Sequence, residues 1–183
     1  MDVQMLALEG AALIDTESFS DSRGIFARFF CEKELATLIG DRHFVNINYS
    51  KTVDKGAIRG LHFQYPPKAE MKLIRCIKGN VYDVMVDIRK DSPTFLNWLG
   101  VNLSANNMKM VCIPEGFAHG FQVLEDNSEL LYMHSEFYSK EYEGALNYSD
   151  PRLDIKWLLS PTVISQRDQS HKMINDNFEG VVL

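Results

Sequence analysis

The sequence predicts an all-β sandwich or barrel, and three observations carry that reading. Short β-type runs recur at 44-49, 57-63, 71-77, 97-103, 108-113, 118-124 and 129-135, separated by turn signals such as Lys78-Gly79-Asn80 and Asp126-Asn127-Ser128. The run 81-88 alternates, with Tyr82, Val84, Val86 and Ile88 on one face and Val81, Asp83, Met85 and Asp87 on the other, as in a strand with one partly polar face. Only one segment has helical spacing.

Taken in order, the first fifteen residues are mildly apolar but carry Asp2, Glu9 and Asp15, without a basic n-region or a run long enough to cross a bilayer. Neither a secretion signal nor a membrane anchor is expected. Glu32 to Ile39 reads as a helix, with Leu35, Leu38 and Ile39 apolar and Gly40 as its stop. The β-runs then follow at regular spacing, and from Val163 onward the chain turns polar and is expected to cross the surface as a tail. With 183 residues, 45 % of them hydrophobic, and no repeat, low-complexity stretch or linker, residues 1-183 are expected to form one domain around a substantial core.

A net charge of −6 and a pI near 5.4 argue against a nucleic-acid-coating protein, which needs a basic face. Cys31, Cys76 and Cys112 are odd in number and widely spaced, which suits reduced thiols in the cytoplasm better than a disulfide framework.

In a barrel of alternating strands, inward-pointing polar side chains are costly unless paired or used, so they mark the place to look for chemistry. Two runs stand out. Gly56-Ala-Ile-Arg-Gly-Leu-His-Phe-Gln64 places Arg59, an anion-binding guanidinium, three residues from the titratable His62. Pro114-Glu-Gly-Phe-Ala-His119-Gly-Phe is a tight turn leading through a histidine into an apolar strand. Asp83 and Asp87 share a strand face, but lie about 13 Å apart along an extended strand, too far for an acid-base pair. Support or ion pairing is the expected role.

Together the two runs resemble the paired motifs of the cupin superfamily of jelly-roll barrels. The resemblance narrows with Asp21-Ser-Arg-Gly-Ile-Phe-Ala-Arg-Phe-Phe, Arg59-Gly-Leu-His-Phe-Gln64, Gly79-Asn-Val-Tyr-Asp-Val-Met-Val-Asp-Ile-Arg, Ser92-Pro-Thr-Phe, Ile113 to Phe121, Leu131-Tyr132, Asp150-Pro151 and Ile164-Ser-Gln-Arg-Asp168. From about Asp15 to Asp168, the chain is similar to the dTDP-4-dehydrorhamnose 3,5-epimerase family. The resemblance implies a cupin-like jelly-roll barrel, carrying the short helix and surface tail, that epimerises C3 and C5 of a nucleotide-linked 4-keto-6-deoxyhexose without a cofactor, for deoxysugar and surface polysaccharide synthesis. A resident metal is not expected, because Gln64 stands where a metal-binding cupin would place a second histidine, leaving His62 and His119 without an identifiable carboxylate.

Proton exchange beside a ketone needs a base, a group holding the enolate oxygen, and an acid on the opposite face. The resemblance implies His62 as base, oriented by Asp168, Tyr132 as acid, and Lys72 as enolate stabiliser. Alone, His62 and Tyr132 would read as core residues and Lys72 as a solvated strand lysine. Arg59 is expected to bind the diphosphate, with His119 and Arg167 as further substrate contacts. Asn46 and Asn48 match a polar family stretch, interrupted here by Ile47. Tyr138 is expected to stack on the base and Glu143 to contact substrate. Arg23 and Phe26 are expected to reach from one protomer of a homodimer into the partner's site.

Two departures bear on specificity. Arg28 stands where the family has a nucleoside-contacting glutamate, exchanging an acceptor for donors, which would suit cytosine N3 and raises CDP beside dTDP as the carrier. After Tyr132 the family's Lys-Thr-Thr-Asp becomes Met133-His-Ser-Glu, which changes the acid's surroundings and leaves epimerisation of one centre open. A ketoisomerase, or a sugar-nucleotide-binding barrel without activity, are the competing readings.

Overall fold

The computed structural model describes residues 1–183 as two β-sheets packed face to face. The first sheet takes strands β1 (Asp2–Met5), β2 (Ala12–Asp15), β5 (Asn46–Thr52), β7 (Lys72–Lys78), β10 (Met110–Ile113) and β12 (Ser128–His134), in the order β1-β2-β10-β7-β12-β5. The second takes β6 (Ile58–Gln64), β8 (Asn80–Asp87), β9 (Trp98–Ser104), β11 (Phe117–Val123) and β13 (Glu143–Ala145), in the order β13-β6-β11-β8-β9. A separate hairpin, β3 (Ser18–Asp21) with β4 (Gly24–Ala27), stands away from both. Helix α1 (Glu32–Ile39) has the bounds its sequence predicts, and a four-residue turn of helix, α2 (Gln166–Gln169), lies in the tail.

All eight strands expected from the sequence are present, within three residues of the predicted ends. The short β1 to β4 and β13 carry too few alternating positions to show a period. Between β7 and β8, Gly79 adopts φ +76°, and a Cβ there would lie 2.4 Å from Ser128 Oγ, so this turn needs glycine.

Period-2 alternation divides the core into three layers. Between the sheets, Ile74, Cys76, Val111, Ile113 and Leu130 of the first meet Val81, Met85, Leu103, Phe121 and Val123 of the second. Outside the first sheet, α1 lays Leu35 and Ile39 on Ala12, Ile14, Leu73, Met110 and Cys112. Burying those two side chains stabilises the helix by about 1.5–3 kcal/mol each, which an isolated eight-residue helix lacks. Outside the second sheet, Leu61, Phe63, Val84, Val86 and Ile88 are covered by Leu146, Leu153, Ile174 and Val181. The tail does run over the surface, but Ile174 and Val181 pin it down and Val181 bridges Arg89 in parallel. Both faces of β8 are therefore buried, so Asp83 and Asp87, fully buried, both need partners.

The three thiols are free, Cys76 and Cys112 buried and Cys31 half-buried. No helix is long and apolar enough to cross a membrane.

Candidate active site

The same alternation that builds the inner core from Ile74, Cys76, Met85 and Leu130 continues at the other end of the strands into polar residues. On β6 the inward position is His62, on β11 His119, on β7 Lys72, on β12 Tyr132 and His134, and on β5 Asn48 and Ser50. These residues line a cavity of about 300 Å3 with Arg59, Gln64, Glu70, Phe121, Tyr138 and Glu143. Register fixes who faces whom: His62 pairs with His119 in the second sheet, and in the first His134 pairs with Lys72 and Tyr132 with Asn48.

The titratable groups at the centre of the cavity are partnered. His62 Nε2 donates to Asp168 Oδ1 at 2.8 Å, so the neutral ring carries its lone pair on Nδ1. Asp168 reaches β6 from α2, where Ser165 Oγ accepts the Asp168 amide at 3.0 Å, and its Oδ2 accepts from the Gly60 amide at 3.3 Å. Gly60 is also needed for the close approach of β6 to β11, for at φ +130° a Cβ would sit 2.5 Å from Gly120 Cα. Burial opposes ionisation of Asp168, but the hydrogen bonds from His62 and Gly60 overcome it and hold the carboxyl below its ordinary range. His119, buried beside His62, donates Nε2–H to Asp83 Oδ2 at 2.9 Å, and burial pushes its pKa down despite that carboxylate. Asp83 is thus a supporting partner and Asp87 an ion-pair partner, 2.8 Å from Arg89, as their strand spacing suggests.

Across the cavity, Tyr132 shares a hydrogen bond with Ser50 Oγ at 2.9 Å, and burial raises its pKa well above the usual phenol value, keeping it protonated. Its ring centroid is 6.3 Å from that of His119 on the facing sheet. Lys72, 5 % exposed, brings Nζ to 3.2 Å from Glu70 Oε1 and donates to the His62 carbonyl at 3.2 Å. Glu70 also accepts from His134 Nδ1 at 2.9 Å, and burial's cost to its carboxylate is outweighed by that bond and by Lys72, leaving its pKa low.

The arrangement can move protons on two sides of one bound carbon: a carboxylate-backed imidazole on one sheet, a neutral phenol on the other, and an ammonium in the same cavity. Arg59 and His62 also line an adjoining depression of about 470 Å3 with Lys51, Arg167 and Asp168, where three cations offer room to an anion.

Of the residues singled out from sequence, His62, Lys72, Tyr132, Asn48, Arg59, His119, Tyr138 and Glu143 meet in the cavity, and Asp168 and Arg167 stand behind it. Tyr138 is exposed, its hydroxyl donating to Glu143 at 3.3 Å, and Glu143 also pairs with Arg167. Asn46 instead donates to the Glu136 carbonyl, outside the cavity lining. Arg23 and Phe26 sit on the free hairpin, Arg23 paired with Asp21. Arg28 pairs with Glu34 of α1, away from the cavity of its own chain. Sequence reasoning missed Ser50, Glu70 and His171. Ser50 and Glu70 each sit two residues from a predicted site residue, Asn48 and Lys72, a period-2 signal that was available. His171 had no such signal, being in the polar tail.

The model of the dTDP-4-dehydrorhamnose 3,5-epimerase family matches residues 5–176. The chain is 44 % identical over 169 residues to a dTDP-4-dehydrorhamnose 3,5-epimerase of Shigella flexneri, covering 92 % of this chain and 93 % of that one. Among solved structures, the Bacillus anthracis dTDP-4-dehydrorhamnose 3,5-epimerase with TDP and PPi bound superposes with a TM-score of 0.91 at 39 % identity, over 94 % of this chain and 99 % of that one. The Legionella pneumophila dTDP-6-deoxy-D-glucose-3,5-epimerase in complex with dTDP-4-keto-L-rhamnose gives the same TM-score at 35 % identity, over 100 % and 98 %. With nearly the whole chain matched in sequence and in fold, the protein belongs to the dTDP-4-dehydrorhamnose 3,5-epimerase family.

Proposed function

We propose that this epimerase converts dTDP-4-dehydro-6-deoxyglucose to dTDP-4-dehydrorhamnose by inverting C3 and C5. The observation that carries the reading is the placement of the His62–Asp168 pair and the Tyr132 phenol on facing sheets of one cavity, which Lys72 also lines. His62 Nδ1 takes the proton from the carbon beside the C4 ketone, and Asp168 stabilises the imidazolium. The electron pair passes to the C4 oxygen, where Lys72 Nζ holds the enolate. Tyr132 returns a proton to the carbon from the other face. Proton transfers alone balance the reaction, so no redox partner is required.

Arg59 and the depression behind it hold the diphosphate, and Tyr138 at the rim stacks on the base, with Glu143 held between Tyr138 and Arg167. The hairpin carrying Arg23 and Phe26 supports a homodimer in which it completes the partner's site: Phe19, Ile25 and Phe26 are 62 %, 62 % and 71 % exposed here. Sedimentation of the purified chain tests this, and a monomer at working concentration would remove the hairpin from the site. The three free thiols support a reducing compartment, the cytoplasm.

Incubation with the 4-keto sugar nucleotide in deuterated water, followed by NMR, tests the reaction itself. Deuterium at both C3 and C5 with inverted configuration is expected; deuterium at one carbon rules out double epimerisation. Since Arg28 is engaged by Glu34, the carrier is expected to remain dTDP. Calorimetric preference for CDP would overturn that.

A further inference from the structure

We propose that His62, Asp168 and His171 form a transition-metal site of the zinc type, and that a bound ion silences the base. One donor atom from each residue falls within 4.8 Å of the others. Asp168 Oδ1 lies 2.8 Å from His62 Nε2 and 3.7 Å from His171 Nε2. Tetrahedral zinc, with bonds of about 2.0–2.1 Å, puts neighbouring donors about 3.3 Å apart, a value the two observed separations straddle. Small side-chain rotations close the set.

Four further features favour the site. His171 Nε2 is buried without a hydrogen-bond partner, so it has no competing engagement. Gly60 N–H holds Asp168 Oδ2, leaving Oδ1 to face both imidazoles. The two rings meet edge to face, 81° apart in plane with centroids 6.2 Å apart, so their nitrogens converge on the carboxylate without stacking. His62 borders both the cavity and the adjoining depression, which leaves an open side for an entering ion and a fourth ligand.

Two imidazoles and one carboxylate select zinc, nickel or copper over magnesium and calcium, which prefer all-oxygen sets. The ligands differ from the pair weighed from the cupin pattern, because His119 is committed to Asp83 and the third donor comes from the tail. A metal on Nε2 displaces the ring proton from there to Nδ1. No proton is lost from the neutral imidazole, but its only free lone pair is gone, and Nδ1 no longer accepts a proton from substrate.

The inhibitory half of the proposal rests on His62 being the base; the binding half does not. Calorimetry of chelator-treated full-length protein with zinc chloride is therefore run beside deuterium exchange into substrate. One zinc per chain is expected, magnesium chloride giving no binding, with affinity at least about tenfold weaker in both His171→Ala and the bulkier His171→Gln, since loss of even a ligand's supporting partner costs that much. Exchange should fall as zinc saturates the site. No binding up to millimolar zinc, or unchanged affinity in both variants, overturns the site. Binding that depends on His171 while exchange continues at saturation overturns the silencing. Absence of exchange in zinc-free protein refutes the base assignment instead.

Discussion

Replacing Asp168 by asparagine keeps the shape of the residue and removes the charge on which His62 depends. In the native site the carboxylate accepts Nε2–H at 2.8 Å and the Gly60 amide at 3.3 Å. An asparagine oxygen still accepts, so the loss is the difference between a charged and a neutral hydrogen bond to the ring as it becomes imidazolium. Hydrogen bonds to charged groups contribute about 1.5–3 kcal/mol and neutral ones about 0.5–1.5, a difference of about 1–1.5 kcal/mol, and about 1.36 kcal/mol is a factor of ten in rate, so kcat should fall about 5- to 13-fold. Deuterium incorporation at C3 and C5, followed by NMR with kcat and KM separated, measures this. KM should not rise, because Asp168 acts through His62, and taking its negative charge out of the lining of the diphosphate depression does not weaken anion binding there. The same substitution alters acid stability. Asp168 has a depressed pKa when folded, so its hydrogen-bonded carboxylate contributes stability above the unfolded carboxyl value of about 3.9 and loses it as pH falls through the lower folded value. The variant should lack that part of the acid transition. A loss confined to KM, or exchange at the native rate in a folded variant, would refute the reasoning.

Tyr132→Phe should separate the two faces: inversion falls at least about 100-fold, the scale of a lost general acid, while solvent exchange on the His62 face falls less, as NMR of recovered substrate and product will show. Glu70→Ala leaves the buried Lys72 ammonium without the carboxylate 3.2 Å away. Breaking such a pair costs about 3–5 kcal/mol, or about 6–20 °C in Tm at this chain length, read by calorimetry; replacing both Glu70 and Lys72 by apolar residues should recover most of it. Burial pushes the thiols of Cys76 and Cys112 up to about 11 and about 12. A thiol reagent at pH 8 should therefore label only Cys31 in the folded protein and all three cysteines after denaturation.

How much was legible follows from what each signal needs. Long strands such as β6, β8 and β12 span enough residues for alternation to show, and α1 carries its apolar stripe and stop residue within one segment. The hairpin β3–β4 escaped because its apolar Phe19, Ile25 and Phe26 point outward, where burial leaves no pattern. In the site, alternation located His62, Lys72 and Tyr132 on their strands, but which strands face one another is decided by sheet order, which sequence spacing does not encode. The Asp168 to His62 contact spans 106 residues and was accessible only through the family resemblance. Glu70, a carboxylate shared by Lys72 and His134, shows the same limit: its neighbours are visible in sequence, but its second partner arrives from β12.

The adjacency of His62 and His119 shows how burial assigns different tasks to identical side chains. The two are direct partners in the β6–β11 ladder, and two imidazolium ions there would oppose each other. His119 is 7 % exposed at its side chain, and burial lowers its pKa, with the charges of Lys72 and His62 acting in the same direction. It therefore stays neutral near pH 7, its Nε2–H fixed on Asp83. His62 is 37 % exposed and hydrogen-bonded to its own carboxylate, Asp168, so it is the imidazole that faces the cavity as the base. Keeping His119 neutral spares the charged form of His62 a neighbouring positive charge, while Lys72 supplies the cation where the enolate oxygen forms. His119→Lys, which would fix a positive charge beside the base, should thus depress exchange more than His119→Asn, which keeps a neutral donor. Equal losses in the two variants would show that His119 serves packing alone.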